Sequence, residues 1–73
     1  MKDQDLILAY ECKLSAPLSP ITTESRCNEI NDLIDEWIAL KNEISNIEAK
    51  RIVSDVIKHS SRMVSDFESG YYG

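Results

Sequence analysis

Seventy-three residues and 8.3 kDa leave room for one small domain. With 42% apolar and 29% charged residues, and only 2 glycines and 2 prolines, the composition is globular; it excludes collagenous, low-complexity and turn-rich all-β chains. A formal charge of −5 counts against binding a phosphate backbone directly, and 1 histidine with 2 cysteines cannot complete a four-ligand zinc site without carboxylates.

From the N-terminus, the first apolar run is Leu6 to Tyr10, preceded by Asp3 and Asp5. It is too short and too acidic to read as a secretory signal, and no segment approaches the ~20 apolar residues of a membrane span. The expectation is a cytoplasmic protein with no membrane partner, whose Cys12 and Cys27 stay as thiols. The segment from about Asp3 to Leu14 fits two templates. Leu6, Leu8, Tyr10, Cys12 and Leu14 alternate as in a strand, whereas Leu6, Ile7, Tyr10 and Leu14 follow helical spacing. A lone strand has no partner in so helical a chain, so helix is preferred, with a strand paired across a dimer as the alternative.

Ser15-Ala16-Pro17-Leu18-Ser19-Pro20 reads as a linker over 15–20, because each proline disfavours helix in the residue before it. Ser19-Pro20 then predicts a helix start, serine as N-cap and proline at the first helical position. Ile30, Leu33, Ile34, Trp37, Ile38, Leu40, Ile44 and Ile47 recur at spacings of three and four. At 100° per residue they cover an arc of about 180°, which predicts a helix touching two neighbours and central to the fold. Trp37 lies mid-arc as the expected buried anchor.

A second stripe, Ile52, Val53, Val56, Ile57, Met63, Val64 and Phe67, with Ala49 and Ser60, is rotated by roughly 110° from the first. A break near 45–48 reconciles them. Ser45-Asn46-Ile47-Glu48 fits a capping box, with Ile44 and Ala49 as its staple. The predicted elements are helices near 3–14, 20–44 and 46–69, a short helix followed by an antiparallel hairpin. One long kinked helix is the alternative. Gly70 is placed to stop the last helix, leaving 70–73 as a tail. The fold class is therefore all-α, one domain over 1–73. A chain this short buries only about 60% of its unfolded surface, so assembly into a homodimeric bundle is expected to cover what the hairpin leaves open.

Residue types that carry chemistry are sparse. His59 is the one imidazole, and its neighbour Ser60 points about 100° away on a helix, so the pair does not form a nucleophile and base. Cys12 and Cys27 lack C-x-x-C spacing and basic neighbours, and read as small buried hydrophobes. No acid stands three residues before His59, so no Glu-x-x-His carboxylate metal motif is present. Phosphate loops, G-x-S-x-G and H-E-x-x-H are absent as well. The expectation is a non-enzyme without cofactor or metal.

The charge excess belongs to one segment. Residues 24–48 carry seven acids against Arg26 and Lys41, while 1–23 carry a net −1 and 49–73 a net +1. In an antiparallel hairpin Lys58 and Arg62 are expected near the early acids of the second helix, as register information more than stability. Two functions follow. The first is a protein-interaction module, a regulator, inhibitor or adaptor of a larger protein. Its partner-binding candidates are Glu29, Asp32, Asp35, Glu36 and Trp37, and its dimer or core face is Ile30, Ile34, Ile38, Ile44, Val56, Met63 and Phe67. The alternative is an acidic nucleic-acid mimic blocking a DNA- or RNA-binding protein, weakened by Lys50, Arg51, Lys58 and Arg62. Direct DNA binding is weaker still, since no helix is expected to be basic on its exposed side.

Overall fold

A computed structural model describes residues 2–70, and the expected Tyr71-Tyr72-Gly73 tail lies outside them. Three helices account for the described chain: α1 (Lys2–Ser15), α2 (Glu24–Glu43) and α3 (Ile47–Glu68). The first segment is a helix and not a strand, for a reason visible in its burial. Ala9 and Cys12 are buried, with Leu6 packed against the core beside them on one helical face; Ala16, just beyond α1, packs against the same core.

The centre of the fold differs from expectation. Both α1 and α2 pack on α3, and they barely meet each other. α3 is therefore the helix with two neighbours, and α2 has one. The stripe from Ile52 at one edge to Ile57 at the other spans about 140° by the 100° step. Ile52 and Val56 line a hollow with Lys13 and Pro17 on the α1 side, and Met63 falls between them by the same step; Ala49, Val53 and Val64 complete the buried cluster. Because α2 needs only a single contact face, the broad arc assigned to it is not all covered. Ile38 at its far edge stands 44% exposed, and Ile47 belongs to α3, where it is 75% exposed.

Helix starts are set by side chains other than those expected. α2 begins at Glu24 with Thr23 as N-cap, its hydroxyl accepting from the Arg26 amide at 3.2 Å. Residues 16–23 stay non-helical, since Ile21 is driven fully into the core and draws the chain off a helical path. The hairpin turn also shifts by one residue. Asn46 is the N-cap of α3, with Oδ1 accepting from the Glu48 and Ala49 amides at 2.9 and 3.2 Å. The Ser45 hydroxyl instead donates to Asp5 Oδ2 at 3.0 Å. The same carboxylate oxygen accepts from the Asn46 amide at 3.3 Å. Gly70 ends α3 with φ of 78°, the left-handed conformation that relieves the helix terminus.

These bonds fix the direction of α1. Asp5 sits at the start of α3, and the Pro17 carbonyl lies 3.1 Å from His59 Nε2 well along it, so α1 runs parallel to α3. α2 runs antiparallel to α3 across a three-residue turn. The cross-hairpin pairing expected of Lys58 and Arg62 does not form. Among the described residues the ion pair present is Arg26 with Glu29, within α2. At 100° per residue Arg51, Lys58 and Arg62 share a strip on the side of α3 opposite Val53 and Ser60, and all three are exposed. Glu48, Asp55 and Asp66 fall beside that strip, so the outward side of α3 carries both signs.

Two stability outcomes follow. Ser60 is fully buried at the middle of α3, and its Oγ has no hydrogen-bond partner among the described residues. Replacing an unpaired buried hydroxyl by hydrogen removes its desolvation cost, so Ser60→Ala is expected to raise stability by about 1 kcal/mol in urea denaturation. A lower midpoint would contradict the burial of an unsatisfied hydroxyl. Asp5→Ala removes the acceptor for two donors in the turn and is expected to cost about 1–2 kcal/mol by the same measurement. An unchanged midpoint would mean that the turn closes without α1.

Candidate functional site

Because α1 and α2 share α3 as a base, a groove of about 510 Å³ runs between them. Its floor is Cys12 and Trp37, both buried. Its walls are Leu8 on α1 and Leu33 and Leu40 on α2, each partly covered. Leu8 and Cys12 are four residues apart on α1, as are Leu33 and Trp37 on α2, so each helix presents one continuous apolar strip to the groove. α1 and α2 are antiparallel, which sets the Leu8 end beside Leu40 and the Ser15 end beside Leu33.

The groove has a one-signed rim. Its charged residues are Glu11 on α1 and Glu36 and Glu43 on α2, with no cation among the lining residues. At 100° per residue Glu29, Asp32, Glu36 and Glu43 fall within about 60° on α2, so the acidic strip continues beyond the groove edge. Of the expected partner-binding residues, the structure brings Glu36 and Trp37 into the groove. Asp32 lies on the adjoining strip, Asp35 is turned further round the helix, and Glu29 is engaged by Arg26. Trp37, 4% exposed, is buried as expected and forms part of the floor.

Ile30, Ile34, Ile44, Val56 and Met63 lie in the buried cluster, and Phe67 packs half-buried against it. The exposed apolar residues lie elsewhere. Ile7, Tyr10 and Leu14 fall within about 60° of one another on the side of α1 opposite Ala9 and Cys12. Leu14 is 84% exposed, and Leu18 beyond it 94%. Leu8, Glu11 and Glu43 were not singled out from the sequence. The seven-residue spacing of Glu36 and Glu43 was the available signal, but assigning it to a groove needs the position of α1.

A second, smaller hollow of about 250 Å³ lies at the far end of α1, between Pro17 and Ile52, with Lys13, Asp55 and His59 around it. Its charges are of mixed sign, and it is too short to seat an element of secondary structure. His59 is exposed and is used at Nε2 for the Pro17 carbonyl contact. No group of three or more metal-ligating side chains occurs among the described residues. No helix of the described residues is long and apolar enough to cross a membrane. No family model matches the chain, and no curated protein or solved structure does either.

Cys12 and Cys27 are unpaired and buried. Burial pushes both thiols upward, aided by Glu11 beside Cys12 and by Glu68 and Glu24 near Cys27. A raised folded value keeps the native state protonated where the unfolded chain ionises. The stabilising contribution is therefore complete below about pH 8.5 and is lost as pH rises through the folded values. Between pH 7 and 10 the melting temperature is expected to fall further for the wild-type chain than for Cys12→Ala/Cys27→Ala. Equal slopes would show that neither thiol is linked to folding.

Proposed function

We propose that this protein is a protein-interaction module that regulates, inhibits or adapts a larger protein, with the α1–α2 groove as its docking face. The observation that carries the reading is the groove itself: an apolar floor and walls left open between two helices that share one support. Apolar strips at helical spacing on both walls suit a helix laid in a groove, a recurrent mode of recognition. Acid strips alone favour a nucleic-acid mimic less, because the concavity they border is apolar and a phosphate surrogate has no use for Leu33 or Leu40. Unpaired buried thiols suit a reducing compartment such as the cytoplasm.

Self-association is part of the same proposal, through a different face. Ile7, Tyr10 and Leu14 form an outward apolar stripe that a second copy would cover in a two-fold contact. Two measurements test the pair of claims. Affinity capture from the native host is expected to recover a protein with the wild-type chain and to lose it with Leu40→Lys, which obstructs the groove wall. Identical recovery by both chains contradicts groove docking. Sedimentation equilibrium is expected to give a mass rising from 8.3 kDa toward twice that with concentration, and Leu14→Lys is expected to hold it at the monomer value. A constant monomer mass for the wild type removes the two-fold contact and leaves the groove reading intact.

A further inference from the structure

From the chemistry of the groove we infer its occupant: a cationic amphipathic helix of about three turns from a different protein, completing a four-helix arrangement over the α1–α2 cleft. This rests on the interaction reading above and adds the class of partner. Three observations specify it. The walls run from Leu8 to Ser15 on α1, about 10 Å, and from Leu33 to Glu43 on α2, about 15 Å at 1.5 Å per residue. The apolar contacts at Leu8, Cys12, Leu33, Trp37 and Leu40 call for one apolar stripe on the occupant, at positions i, i+3 or i+4, and i+7. Glu11 stands on one rim and Glu36 and Glu43 on the other, so both flanks of that stripe meet carboxylates and favour lysine or arginine.

A second copy of this chain fits poorly. Its one exposed apolar stripe, Ile7, Tyr10 and Leu14, lies on a helix holding Asp3, Asp5 and Glu11 against Lys2 and Lys13, a net negative segment entering an acidic rim. Its basic strip, Arg51, Lys58 and Arg62, has only Ile47 beside it to offer the apolar walls. Among the described residues no single face combines the apolar stripe with the cations. The complement belongs to another molecule.

Three synthetic peptides of about twelve residues make the test, titrated against the full chain. One carries leucines on a single helical face with lysines on both flanks. The second keeps the leucines and replaces lysine by glutamate, and the third keeps the first composition with the leucines distributed around the helix. Readouts are Trp37 emission and amide chemical shifts over residues 8–15 and 33–43. The cationic amphipathic peptide is expected to bind with shifts confined to those residues and to weaken as salt rises. Its affinity is expected to fall about tenfold or more for Glu36→Lys/Glu43→Lys, two exposed positions whose replacement leaves the core intact.

The alternative outcomes separate the two levels of the proposal. If the glutamate peptide binds as tightly, the groove accepts helices without regard to charge; the inference fails and the interaction reading survives. Equal binding of the distributed peptide reduces the contact to surface charge and overturns the inference. A self-associated chain that Leu40→Lys returns to monomer puts a second copy in the groove, and overturns it too. Silence at the groove with all three peptides removes the interaction reading itself.

Discussion

Everything in this fold depends on the breadth of one apolar face. α3 carries a stripe about 140° wide, more than one neighbour can cover, and both other helices are placed by it. A 73-residue chain has little core to spend. It concentrates that core along one helix, with Ala9 and Cys12 brought in from one side and Ile30, Ile34 and Trp37 from the other. Because each outer helix satisfies its own buried strip against α3, neither needs the other. The groove between them is the geometric remainder of that division.

Hydrophobic burial does not choose the direction in which α1 lies, since an apolar strip reads similarly from either end. Polar contacts at its two ends make the choice. Asp5 accepts from the turn between α2 and α3, and the Pro17 carbonyl meets His59 more than three turns further along α3. A negative carboxylate at the amide-rich start of α3 is also favourably placed against the helix dipole. With α1 reversed, the Asp5 contact would be lost and the short 16–23 connection would have to recross the molecule. Local hydrogen bonding thus sets the topology, and burial supplies most of its stability.

Much of this was legible in the residues. Glycine and proline placement gave three helices to within a few residues, and the phase offset between the Ile30–Ile44 and Val53–Phe67 stripes located the turn. What was not legible depended on contacts distant in sequence. Ser45 has the right chemistry for an N-cap, but its hydroxyl donates to Asp5, forty residues away, and the cap one residue on is Asn46. Ser19-Pro20 is a good helix start in isolation, and burial of Ile21 overrides it. The wide apolar arc on α2 predicts two neighbours, whereas its outer edge at Ile38 is exposed. The acidic bias of α2 was clear from composition, but only the position of α1 turns Glu36 and Glu43 into one rim of a cleft with Glu11 opposite.

The Asp5 contact has a thermodynamic corollary. One wall of the groove is α1, so the groove exists only in the fraction of molecules with α1 seated on α3. Seating α1 also completes the hydrogen bonding of the turn that starts α3. A molecule bridging α1 and α2 therefore draws on three events at once: the groove is filled, α1 is held down and the turn is closed. By linkage, its apparent affinity is scaled by the seated fraction, and its binding raises that fraction in return. Substitutions at Asp5 or Ser45, well outside the groove, thereby acquire leverage over what binds in it.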